Sequence, residues 1–125
     1  MKGFVTNIEQ DSLTNEFFRR VLYTDERVQV VVMALQPGED IGAEVHQLDQ
    51  FIRVEAGSGT AVLDGVEHAI TAGFAVVVPA GVMHNIINGA DAPMKLYTLY
   101  APPNHKDGTV HKTKADAEAA EQHSA

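Results

Sequence analysis

The sequence predicts an all-β fold, an antiparallel sandwich or barrel with a short helical tail at its C-terminal end. Two observations lead there. Short apolar runs recur at regular spacing over residues 17–100, and Gly or Pro cuts off most of them. Between two of the runs stands Asp64-Gly65, a type I′ hairpin signal, because both central residues of that turn need positive φ. No internal repeat is present, and no helix of length is expected before the tail.

Residues 1–16 form a polar arm that carries Phe4, Val5, Ile8 and Leu13. Residues 17–23 and 28–35 read as strands joined by a hairpin loop at 24–27. The second of these does not alternate. It is apolar on both faces, so both faces need cover. The barrel interior can take one; the flank of a second sheet or another subunit can take the other. Together with an outward Phe51, this strand predicts a homodimer built on sheet contact. Pro37-Gly38 ends it. After a turn at 57–59 come short strands at 60–64 and 66–70, then a buried strand at 75–78 stopped by Pro79, then strands at 84–88 and 94–100. Pro102-Pro103 breaks the sheet pattern and divides a barrel with its arm, 1–103, from a tail, 104–125. Thr113 and Asp116 mark a helix start, and 114–122 is alanine-rich and helix-favouring. An apolar face made of alanine alone gains little by docking, so this helix is expected to fray.

Composition narrows the function. A chain of 125 residues makes one domain and buries roughly two-thirds of its unfolded surface. There is no cysteine, so any metal is held by nitrogen and oxygen. A net charge of −8 repels nucleic acid and anionic membranes. No run of about 18 apolar residues offers a membrane span, and residues 1–7 lack the apolar core of a signal peptide. The expected location is cytoplasmic.

Chemistry concentrates in two stretches. In the first, residues 38–57, Glu44 and His46 are two apart, and on a strand such residues share a face. Gln50 follows after a gap fit for a tight turn, and parity places Gln50, Ile52, Val54 and Ala56 inward, with Phe51, Arg53 and Glu55 outward. In the second, residues 73–88, His84 comes just past Pro79-Ala80-Gly81. Two histidines and one carboxylate make a known transition-metal set.

The two stretches resemble the two motifs of the cupin superfamily. Gly38, His46 and Gly57 fall on the spacing of the first motif, with Glu44 where a histidine is usual and Gln50 where a glutamate is usual. Gly73, Pro79, Gly81, His84 and Asn88 match the second throughout. The resemblance implies an antiparallel jelly-roll (double-stranded β-helix) barrel and one divalent transition metal, Fe, Mn, Ni, Co or Zn. Glu44, His46 and His84 would hold it, with Gln50 as fourth ligand or as a donor behind the ligands, and adjacent Asp49 as competitor to Gln50. One carboxylate and two neutral imidazoles leave such a site near +1. His68, His105, His111 and His123 lie off the motifs and are expected to be non-ligands.

Between Val28 and Tyr100 the basic residues are Arg53, which parity turns outward, and Lys95. The inward candidates are mostly apolar: Ile52, Val54, Ile86, and Met33 or Val32, with Tyr97 or Tyr100 to supply a phenol. The expected substrate is therefore small, weakly charged and chelating through oxygen. A metal-dependent enzyme acting on such a metabolite, by oxygenation, lyase chemistry or proton-shift isomerisation, is the leading reading. A sugar or sugar-phosphate isomerase, with Lys95 on the phosphate, is the first alternative. A non-catalytic metal or small-molecule binding module is the second.

Overall fold

The computed structural model describes residues 3–123. In chain order the elements are α1 (Ile8–Thr14), β1 (Arg19–Thr24), β2 (Gln29–Leu35), β3 (Asp49–Ala56), β4 (Ser58–Leu63), β5 (Val66–Thr71), β6 (Ala75–Val78), β7 (His84–Ile87), β8 (Met94–Ala101), β9 (Val110–His111) and α2 (Lys114–His123). They form a jelly-roll barrel of two antiparallel sheets. The larger runs β6-β3-β8-β2-β1-β9, the smaller β5-β4-β7. Asp64 and Gly65 take φ of 50° and 79°, as a type I′ turn requires.

The barrel is filled from both sheets. Val31, Met33 and Leu35 of β2, Ile52 and Val54 of β3, and Met94 and Leu96 of β8 pack against Ala61, Ile70 and Ile86 of the smaller sheet. Asn88 ends β7 as a buried clamp. Its amide donates to the Leu35 and Ala92 carbonyls, each at 2.9 Å, and its oxygen accepts from the Ala90 amide.

Several expectations need correction. The N-terminal arm is not merely polar coil. Asn7 caps α1 by accepting from the Gln10 amide, and this helix lies over the outer face of β2, β3 and β8. Val32 and Ala34, on that outer face of β2, are thereby buried within one chain. The second face of the strand at 28–35 thus receives cover from this chain, and that part of the argument for a homodimer falls away.

The stretch around Glu44 is not a regular strand; it joins the edge of β7 by single bridges, Asp40 to Ile87 and Glu44 to His84. The parity survives: Glu44 and His46 are half-buried and Leu48 is buried, while Ala43, Val45 and Gln47 are exposed. A bulge between Val54 and Ala56 sets Ala56 opposite outward Lys95, so Ala56 does not face inward.

The tail does not stand apart from the barrel. Its strand β9 pairs with β1, Arg19 opposite His111. Thr113 caps α2 by accepting from the Asp116 amide at 3.1 Å, and the helix docks through Ala117, which is buried in the core. Lys114 pairs with Asp40. The Asn85 amide, with Lys114 second, holds the Asp40 carboxyl below its ordinary range. Polar ties at the helix start supply what its alanine side chains do not.

Candidate metal centre

The double bridge between Glu44 and His84, each backbone amide 3.0 Å from the other's carbonyl, holds the two motifs side by side. The Gly81 amide donates to the His46 carbonyl at 2.8 Å and fixes the next ligand candidate from the other motif. The two rings, His46 and His84, stand 5.1 Å apart between centroids. His84 is buried, and its Nδ1–H donates to the Val82 carbonyl at 3.0 Å. A carbonyl only accepts, so this bond sets the tautomer and leaves Nε2 bare, the arrangement a metal-binding imidazole needs.

His46 Nε2 lies 3.0 Å from Glu44 Oε2. Burial pushes the Glu44 carboxyl up, but the hydrogen bond from His46 and the charges of His46, Arg19 and His84 outweigh it, and the group ends below its ordinary range. The proton shared by this pair is what a divalent cation would compete with. Gln50 is buried. Its Nε2 donates to Thr98 Oγ1 at 3.0 Å, and its Oε1 has no hydrogen-bond partner. Leaving a buried acceptor unmade costs about 1–3 kcal/mol. A cation offsets that cost, so the donor set fits a divalent ion. Among the described residues, no three His, Asp or Glu side chains stand close enough together to hold an ion in the conformation seen. Glu44 closes on His46 instead, and an ion would have to part them. Asp49 is engaged elsewhere: it is exposed and accepts from the Ala80 amide at 3.0 Å.

The wall beyond these residues holds groups that the motif spacing does not reveal. Tyr100 registers with Gln50 and presents its ring edge-on to His46, centroids 6.1 Å apart. Burial pushes its phenol up to about 12, so it stays protonated. Tyr97 faces outward against Phe51. His105 stands at 81° to Tyr100, 5.4 Å away. Its segment hangs on the buried amide of Gln29, which donates to the His105 carbonyl at 2.7 Å and accepts from the Asn104 and His105 amides. Burial, then the charge of Arg19, pushes the His105 imidazole down to about 3. Arg19 itself registers with core residue Met33 and is only 3 % exposed. His68 is exposed, as expected, and His123 lies outside the residues whose side chains are described.

A reading confined to residues 28–100 could not find Arg19. In Arg19-Arg20-Val21-Leu22 each parity holds one arginine and one aliphatic residue, so alternation alone does not say which arginine goes in. Lys95, at most the one interior cation that residues 28–100 could offer, turns out instead and donates to the Asn15 carbonyl.

A family model for the cupin domain matches residues 31–100, over half of the chain. The chain belongs to the cupin family. This cupin is 47% identical to the Bacillus subtilis protein YrkC over 127 residues, which is 96% of this chain and 68% of that one. It is 39% identical to protein L612 of Acanthamoeba polyphaga mimivirus over 112 residues, 86% of this chain and 70% of the relative. The crystal structure of BH2720 from Bacillus halodurans superposes with a TM-score of 0.92 at 45% identity, covering 94% of this chain and 95% of that one. No helix among the described residues is long and apolar enough to cross a membrane.

Proposed function

We propose that this cupin is a metal-dependent enzyme acting on a small oxygenated metabolite, with Glu44, His46 and His84 as ligands of one divalent transition metal and Gln50 as a fourth, weaker one. The observation that carries the reading is the bare Nε2 of buried His84 beside the Glu44–His46 pair. When bound, such an ion supplies Lewis-acid polarisation of a carbonyl and a lowered pKa of water, or an O2 site if it is iron. The chain supplies the rest. Protonated Tyr100 can donate to a substrate oxygen. Glu44 stays ionised, the form that can ligate a cation. Ile52, Val54 and Ile86 line the interior with apolar surface that excludes water. The phosphate-isomerase alternative would need Arg19 in place of Lys95, which turns to the outer face.

Metal content of untagged protein purified without chelator tests the reading. Gln50→Ala should lose less metal than removal of either histidine, since it deletes a neutral oxygen. Gln50→Glu should tighten binding, since it adds a charge. Loss in Gln50→Ala equal to that in the histidine variants would show that the Gln50 corner was misjudged, and wild-type protein holding no metal would overturn the proposal.

The homodimer also stands as a proposal. With β2 covered by α1, its support is the outer row Val77, Phe51 and Leu99, together with Val5, which is 98% exposed. A dimer mass is expected by analytical ultracentrifugation at micromolar concentration, and a monomer would count against it.

A further inference from the structure

We propose that Arg19 is the carboxylate-binding residue of this site, so that the substrate is a small carboxylic acid. The inference rests on the reading of the barrel interior as a metal-dependent centre and names its substrate class. Arg19 enters the interior from β1, and its Nη1 donates to His111 Nδ1 at 3.1 Å. A guanidinium only donates, so this nitrogen of His111 accepts and the ring brings no charge to balance it. Arg19 Nε is buried without a hydrogen-bond partner. Its Cζ stands 5.3 Å from the Phe18 ring centroid and its charge is felt by the Glu44 carboxylate, yet Nε itself is unsatisfied, and guanidinium does not shed its proton to escape the cost of burial.

Unpartnered Nε shares an edge with Nη2, the side-on fork that carboxylates accept with two parallel hydrogen bonds. Arg19 lines a cleft of about 390 Å³ with His105, Lys106, Thr109 and His111, and with Glu121, which has interactions of its own. The cleft adjoins the candidate centre through His105, whose ring meets Tyr100, which in turn meets His46. Nε is closed to water in the free protein, so a carboxylate reaches it only with a shift of neighbouring side chains. Charge agrees. A divalent ion, the Glu44 carboxylate and Arg19 sum to +2 with neutral imidazoles, against +1 without Arg19, so an anionic substrate is matched to the site.

The test uses chelator-treated, 15N-labelled protein, so that metal plays no part. The Nε–H resonance of Arg19, assigned by its absence in Arg19→Lys, is followed during titration with acetate, pyruvate and malonate, and in parallel with their uncharged amides. The carboxylates should move it saturably and the amides should not. By calorimetry, Arg19→Met should bind the best carboxylate at least about 10-fold more weakly, one decade being about 1.4 kcal/mol, and Arg19→Lys should fall between. Metal content should not fall in either variant, since neither loses a proposed ligand. No carboxylate moving the resonance, equal response to the amides, or undiminished binding by Arg19→Met would overturn the assignment. If Arg19→Met does not fold, the wild-type titration decides. Wild-type protein without metal would defeat the proposed function and still leave this titration readable.

Discussion

His84→Ala and His46→Ala should each strip most of the metal from the purified protein. At the proposed site each removes one of three strong ligands, and the two that would remain compete with water for the ion without enclosing it. Removing a partner one step behind a metal ligand already costs about 10–100-fold in affinity, so losing a ligand should cost more. His84 is the sharper case. Its Nδ1–H is committed to the Val82 carbonyl, so its only free nitrogen is the one that would bind. In His46→Ala the Glu44 carboxylate loses its 3.0 Å partner and is left half-buried, which gives a cation some compensation. The loss should therefore be a little smaller. Elemental analysis of the variants beside wild type checks this, with circular dichroism to show that the barrel is intact. Full occupancy in His84→Ala would show that the site has been placed wrongly.

Gly59→Ala should destabilise the barrel by more than about 3 kcal/mol, in the range reserved for changes the fold cannot absorb. A Cβ at this position would stand 2.1 Å from the Ile87 carbonyl oxygen, 2.5 Å from Met94 Cε and 3.2 Å from the Ile87 carbonyl carbon. The methionine can swing aside. The carbonyl belongs to the backbone of β7, paired to β4 through Thr60 and Ile87 and bridged to Asp40 on its other side, so the strands themselves must part. Because β7 begins at His84, the same displacement should lower metal content. Gly89→Ala is the control: nothing lies within 4 Å of its Cβ, and its φ is not positive. It should stay within about 0.5 kcal/mol of wild type. Urea unfolding midpoints compare the two. A Gly59→Ala midpoint close to that of Gly89→Ala would show that β4 and β7 slide past each other more easily than their pairing suggests.

Gly59 also marks where sequence reading stops. The run Gly57-Ser58-Gly59 looks like one turn, and Gly57 does make it, with φ of 91°. Gly59 is already inside β4, and it is glycine because another strand's carbonyl presses on it. The first requirement is local and visible in the chain; the second belongs to a contact with residues far along it.

The same division runs through the molecule. The sequence by itself determined the strands as far as β8, the turn at Asp64-Gly65, the common side of Glu44, His46 and Leu48, and the inward face of Gln50, Ile52 and Val54. These follow from a two-residue period and from backbone angles, which need no knowledge of what packs against the strand. Tertiary structure alone decided that α1 covers Val32 and Ala34, that residues 104–111 return to β1 under the grip of Gln29, and that Arg19 rather than Arg20 is taken inside. Each of those choices depends on the surface the segment meets, and the energy that settles it arises only when the barrel has closed.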